Sequence, residues 1–237
     1  MSKERLMVGV LGGLGPEATV DFMARVLALT PAESDQDHIH MLVDQNPGVP
    51  NRQDAILRDG EDPSPALVAM AKRLEGAGCD FLVMPCNTAH AWEVEIRTAT
   101  TIPFLSIVDA TVSVIPESVT KVGLMTTPAG LASDCYQRAL FDRGIETIEH
   151  DAAEVEELMK LVYSIKVGDT GSGVTDGMRA LAENLVERGA ELIIFGCTEI
   201  PIVLEAGDLE VPGLSSTDEL AKRTIAIARG EESLPAR

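Results

Sequence analysis

Residues 77–90 read AGCDFLVMPCNTAH, and residues 188–201 read RGAELIIFGCTEIP. A shift of 111 residues (197 − 86) lays one on the other, superposing Cys86 on Cys197, Gly78 on Gly189 and Asp80 on Glu191. The apolar run 81–84 falls on 192–195. Each copy has the pattern of an amphipathic helix ended by glycine, a short buried strand, and a thiol where the strand stops. The openings of the two halves also match: VGVLGG from Val8 lies beside VGLMTT from Val122, at an offset of 114 residues (122 − 8). A change of loop length between duplicated halves accounts for the different offset.

Around these copies, apolar runs alternate with helical periodicity, the mark of βαβ units and parallel sheets. Strands are expected over 7–11, 39–43, 81–84 and 103–106, and again over 121–125, 145–148, 192–195 and 213–214. The expected fold class is α/β, with two pseudo-symmetric lobes, each a parallel four-stranded sheet flanked by helices, and the active site between them. The first lobe takes 1–113 and carries Cys86; the second takes 114–214 and carries Cys197. Pro116 punctuates the boundary. A last helix over 215–229, opened by Ser/Thr/Asp capping chemistry, is expected to pack back on the first lobe, which assigns 215–237 there.

Bulk properties narrow the function. Hydrophobic residues make up 45% of the 237-residue chain but aromatics only 3%, so the core must rest on Leu, Ile, Val, Ala and Met. The formal charge of −19 argues against nucleic acid and against anionic membrane surfaces. An anionic substrate would therefore need a local island of positive charge. The amino terminus has charges but no long apolar stretch, and no run approaches the ~18 residues of a membrane span, so a cytoplasmic protein is expected. Its four cysteines are widely spaced and form no CxxC pair, which points to free thiols. His38, His40, His90 and His150 show no ligand spacing, so no metal is expected.

Ligands of open α/β sheets bind beyond the carboxyl ends of the strands, where Cys86 and Cys197 both fall. A helix start is expected just after each, at Asn87-Thr88 and Thr198-Glu199, and its partial positive charge would favour a thiolate. Cys79 and Cys135 read instead as structural, since free cysteine behaves as a small hydrophobe. Two thiols facing one carbon suit proton transfer, one removing the α-proton and the other returning a proton to the opposite face. Asn87, Thr88 and Thr198 are placed to steady the charge that develops on the substrate carboxylate, alongside ordinary helix capping.

PCNTAH at 85–90 and GCTEIP at 196–201 resemble the signatures of the aspartate/glutamate racemase superfamily. GGLGPEAT (12–19), DQNPGVPNR (44–52) and SIKVG (164–168) resemble its aspartate racemase branch. The resemblance implies a two-base racemase of L- and D-aspartate, or of glutamate, that works without a cofactor. It implies Cys86 as the base for the D-enantiomer and Cys197 for the L-enantiomer. It places Arg52 and Lys166 around the substrate carboxylates, with Asn87, Thr88, Thr127 and Thr198 as neighbours and Glu199 orienting Cys197 or the ligand ammonium. It also implies a homodimer. His90 reads as structural. The chain departs from the family pattern at Gln53, where DRT is usual, and at Gly130, where threonine is common; both leave the choice of acidic substrate open.

Three other readings compete. Hydantoin racemases, maleate isomerases and arylmalonate decarboxylases also use cysteine at a strand end. A nucleotide-binding module would explain Gly13-Leu14-Gly15-Pro16-Glu17-Ala18 as GxGxxA with Asp44 as the ribose acid, but leaves the second cysteine copy unexplained. A catalytically silent amino-acid-binding protein would have little use for both thiols.

Overall fold

The computed structural model describes residues 5–235; residues 1–4 and 236–237 of the first-lobe assignment lie outside these. Two four-stranded parallel sheets form the framework. The first holds β1 (Val8–Gly12), β2 (Met41–Gln45), β3 (Phe81–Val83) and β4 (Phe104–Leu105), in the order β2-β1-β3-β4. The second holds β5 (Lys121–Met125), β6 (Glu146–Glu149), β7 (Leu192–Phe195) and β8 (Gly213–Ser215), in the order β6-β5-β7-β8. All eight strands fall within two residues of the expected positions. The largest slip is in β2, where the pairing of Val8 with Met41 through Gly12 with Gln45 sets the register, rather than the local apolar run.

Helices α1 (Pro16–Leu29), α2 (Arg52–Leu57), α3 (Ser64–Gly76), α4 (Glu93–Ala99) and α5 (Ile107–Ser113) accompany the first sheet. The second is accompanied by α6 (Pro128–Ser133), α7 (Cys135–Phe141), α8 (Ala152–Lys166) and α9 (Ser172–Glu187), and α10 (Ser216–Ala228) closes the chain. Parallel pairing requires such crossovers, and helices on both faces make the inner strands β1, β3, β5 and β7 buried apolar runs, while the edge strands β2 and β6 are partly exposed.

The duplication extends to packing. Gly78 and Gly189 both adopt left-handed backbone, and each lets the next amide close its helix, Cys79 N–H on Leu74 O and Ala190 N–H on Leu185 O. Asp80 Oδ2 accepts from Met7 N–H at 2.6 Å, just before β1; Glu191 Oε2 accepts from Thr120 N–H at 2.6 Å, just before β5. A Cβ on Gly9 would meet Leu82 at 2.8 Å and Cys79 at 3.1 Å, and one on Gly123 would meet Ile193 at 2.5 Å and Ala190 at 3.1 Å. Cys79 thus faces the backbone of β1 and packs in the core beside Leu82.

One apolar cluster joins the two sheets. Val8, Phe22, Phe81 and Val108 share it with Leu124, Tyr136, Leu140, Leu220 and Ile225. Helix α10 packs on α1 and α5. Arg25 of α1 pins it by pairing with Asp218, while its other nitrogen reaches Pro201 O at 3.2 Å. Burial of each large side chain in this cluster contributes ~1.5–3 kcal/mol. On the outer faces, α3 covers the first sheet with Leu67, Met70 and Leu74, and α8 and α9 cover the second with Leu158, Met178 and Leu185. No helix among the described residues is long and apolar enough to cross a membrane.

Candidate active site

Each sheet reverses its strand order between its first and third strands, β1/β3 and β5/β7. The crevice beyond the carboxyl ends at such a point is where doubly wound folds bind ligands. Here the segments leaving β1, β2, β3, β5 and β7 meet at a single cleft between the sheets, a cavity of about 310 Å³. That is the small end of the range for ligand sites. Cys86 and Cys197 line it, and so do Arg52, Asn87, Thr88, Thr127, Lys166, Thr198 and Glu199.

Cys86 sits on a tight turn in which its N–H returns to Met84 O at 2.8 Å. His90 holds that turn from behind. Its Nε2 accepts from Ile107 N–H at 3.0 Å, so Nδ1 carries the proton and donates to Cys86 O at 2.8 Å. Burial lowers the His90 pKa and keeps this tautomer neutral. Asn87 is committed across the interface: Tyr136 O–H donates to its Oδ1 at 2.6 Å, and its Nδ2 donates to Ser216 Oγ at 3.0 Å. One amide hydrogen of Asn87 is left for a ligand.

The second thiol has a different setting. Cys197 Sγ donates to Glu199 Oε2 at 3.0 Å, and Lys166 Nζ pairs with Glu199 Oε1. Glu199, expected to orient Cys197 or the ligand ammonium, is buried beside that thiol. Thr198 Oγ1 also donates to Glu199, at 3.3 Å, so its hydroxyl is spent there and not on a ligand. Burial first, and then the Glu199 charge, push the Cys197 pKa well above the ordinary thiol value, against a smaller opposing pull from Lys166. At Cys197 this corrects the expectation of a thiolate favoured by a helix start: the segment after it is a single short 3-10 turn, Ile200–Ile202, too short to build a substantial end charge. After Cys86 the 3-10 turn Thr88–Trp92 runs directly into α4. Burial lowers the Lys166 pKa, but Glu199 and the two thiols outweigh it and leave the pKa raised.

Arg52 opens α2 and stretches back over the loops. Its Nη1 donates to Val49 O at 3.0 Å and Pro50 O at 2.8 Å, and its Nη2 to Leu14 O at 2.9 Å. No carboxylate pairs with it among the described residues. Two cations and one carboxylate line the cleft, a net charge of +1 in a chain of −19. That is the positive island the composition required.

The glycines that resembled a nucleotide fingerprint are taken up by protein contacts. A Cβ on Gly13 would strike the Asn46 backbone at 2.5 Å, and one on Gly15 would meet Glu199 Oε1 at 3.0 Å and Lys166 Nζ at 3.3 Å. Asp44 pairs with Arg73 at 2.7 Å instead of standing ready for a ribose. The loop is shaped to receive the second lobe.

The Asp/Glu/hydantoin racemase family matches residues 11–224 of the sequence. The chain belongs to this family. It is an amino-acid racemase, an isomerase. The broad specificity amino-acid racemase RacX of Bacillus subtilis is 32% identical over 224 residues, covering 93% of this chain and 97% of RacX. Among solved structures, the Picrophilus torridus aspartate racemase superposes with a TM-score of 0.85 at 30% identity, over 97% of this chain and 96% of that one. The glutamate racemase of Francisella tularensis, solved with D-glutamate, shares the fold at 19% identity, with a TM-score of 0.69 over 99% of this chain and 85% of that one.

The racemase cleft also contains residues that the sequence reading passed over. Met159, Val162 and Tyr163 line it from the same face of α8 as the expected Lys166. Their spacing of 3 and 4 residues from Met159 was visible, but an apolar stripe on a helix ordinarily means core. Gln53 lines the cleft too and crosses to the second lobe, where its Nε2 donates to Thr127 Oγ1 at 2.8 Å.

Proposed function

We propose that the protein interconverts L- and D-aspartate, with glutamate as the second candidate, by proton transfer between two cysteines and without a cofactor. Cys86, as thiolate, takes the α-proton of the D-enantiomer, leaving a carbanion whose charge spreads into the carboxylate. Cys197, as thiol, gives its proton to the opposite face, so the L-enantiomer leaves with Cys86 protonated and Cys197 ionised. The L-enantiomer reacts by the reverse path. The observation that carries this reading is that both duplicated cysteines, one from each sheet, line one cleft. The raised pKa of Cys197 supports its role as proton donor toward the carbanion. Arg52 and Lys166 supply the charge that an acidic amino acid requires, and Asn87 and Thr88 the neutral donors. Glu199 orients Cys197.

The apolar wall of Met159, Val162 and Tyr163 favours a second reading, a wider substrate range such as the name of RacX describes. As further proposals, the protein acts as a cytoplasmic homodimer with neither nucleic acid nor membrane as partner. Among the described residues, 5–113 with 215–235 form one lobe, and 114–214 the other.

The test is incubation of each enantiomer of aspartate, glutamate, asparagine and alanine in deuterated water. Deuterium should enter the α-position as optical rotation decays. Cys86→Ala should lose racemisation by ~10³-fold or more while still binding the amino acid. Near-wild-type turnover in that variant would refute the two-base assignment.

A further inference from the structure

Ala129 N–H donates to Gln53 Oε1 at 3.0 Å, so the other end of that amide, Nε2, must be the one donating to Thr127 Oγ1 at 2.8 Å. Gly130 N–H donates to the same hydroxyl oxygen at 3.1 Å. A threonine hydroxyl can accept two hydrogen bonds and donate one. With both acceptor sites of Thr127 occupied, its proton goes to Thr88 Oγ1, 3.2 Å away. Thr88 is then an acceptor toward Thr127, and its own O–H has no protein acceptor among the described residues. Thr88 is buried, two positions after Cys86, and lines the cleft. The hydroxyl of Thr198 is bound to Glu199, which makes Thr88 the hydroxyl of the two that remains able to donate to a ligand.

We propose that Gln53 is a positioning residue for the racemase substrate: through Thr127 it holds Thr88 in the one hydroxyl arrangement that leaves Thr88 a donor to the substrate carboxylate. The inference rests on the reading of this cleft as the racemase site. The direction of every bond in the chain follows from the fixed backbone donors Ala129 and Gly130, so an amide at position 53 imposes it and a carboxylate reverses it. The carboxylate of the substrate gains charge as the α-proton leaves, and a donor already aimed there needs no reorganisation at that moment.

The test is a double-mutant cycle between Gln53→Glu and Thr88→Val, read as the Kd of D-aspartate by calorimetry. A carboxylate at 53 keeps the bond from Ala129 but must accept from Thr127. Thr127 then turns its proton away, Thr88 donates to Thr127, and the substrate loses its donor. Gln53→Glu alone is expected to weaken binding roughly ten- to a hundredfold. In the Thr88→Val background the same change should cost less than about threefold. Acidification should restore binding in Gln53→Glu alone, because a neutral carboxyl can donate to Thr127 as the amide did. Equal factors in both backgrounds, or binding that ignores pH, would overturn the relay and leave plain charge repulsion. Should Gln53→Glu fail to fold, Gln53→Met removes both bonds, and its cost must again require Thr88. Wild-type binding without turnover would overturn the two-thiol reading alone.

Discussion

Cys197 Sγ and Glu199 Oε2 stand 3.0 Å apart, thiol donating to carboxylate, while Lys166 closes on the other oxygen of Glu199. Cys197 is thereby stabilised as the thiol, a proton donor in the free protein. On the proposed mechanism Cys197 is the base for the L-enantiomer, so turnover of that enantiomer is expected to climb with pH to beyond ~8.5, the ordinary thiol value. On the same proposal turnover of the D-enantiomer needs Cys197 protonated and is expected not to share that climb. Glu199→Gln removes the negative charge and leaves the Lys166 ammonium beside the sulfur, so Cys197 should ionise more readily. Alkylation of Cys197 by iodoacetamide, followed by mass spectrometry against pH, should shift down by about 1 on the pH scale. An unchanged profile would show that burial alone sets the thiol.

Two glycines two residues apart in the same loop, Gly13 and Gly15, should respond differently to alanine. At Gly13 the backbone is left-handed, and the new Cβ would meet main-chain atoms of Asn46 that cannot move aside. Gly13→Ala is expected to destabilise by ~2 kcal/mol or more, seen as a lowered Tm. At Gly15 the chain is extended, and the new Cβ meets only the tips of Glu199 and Lys166. Gly15→Ala should therefore cost less than ~1 kcal/mol of stability yet reduce turnover by displacing that pair. Equal loss of Tm in the two variants would contradict this.

Arg52 braces two loops through three carbonyls, a task that depends on a planar fork of donors. Arg52→Lys keeps the charge but not the fork. It is expected to lower stability by ~1–3 kcal/mol and to raise KM by roughly tenfold, because the loop from 47 to 52 no longer holds its shape. Unfolding in urea and steady-state kinetics read the two effects separately. A KM rise with no change in stability would mean that Arg52 serves the ligand alone.

His90 and His150 are buried and neutral, and burial lowers both pKa values. In the unfolded chain each returns to ~6.5 and takes up a proton below that pH. Protons then favour unfolding, so the stability these groups contribute is full above ~6.5 and falls as pH drops toward the lower folded values. His150 Nε2 donates to Leu181 O at 2.9 Å, a bond an amide can replace. Tm measured from about pH 8 to about pH 5 should fall less steeply in His150→Gln than in the wild type. Parallel curves would remove His150 from the account.

The eight strands and the paired cysteines were legible because both depend on local pattern. Short apolar runs punctuated by turn residues mark the inner strands, and the 111-residue shift carried Asp80 onto Glu191 and Cys86 onto Cys197. The partners of the polar side chains were not legible. Thr88, Thr198 and Asn87 were equivalent donors on the page, yet folding committed Thr198 to Glu199 and Asn87 to Tyr136 and Ser216. Gln53 entered only as a departure from a motif. Its partner lies 74 residues away, a distance no periodicity reports.

The order of residues alone settled the architecture, the equivalence of the two cysteine segments and the family, because strand propensity, glycine stops and repeated motifs are properties of short stretches. Which groups carry protons in the cleft was decided by tertiary structure. The protonation of Cys197 and the direction of the Thr127 hydroxyl both depend on buried groups brought together from distant segments. There, Coulomb interactions and the count of lone pairs outweigh the intrinsic preference of any single side chain.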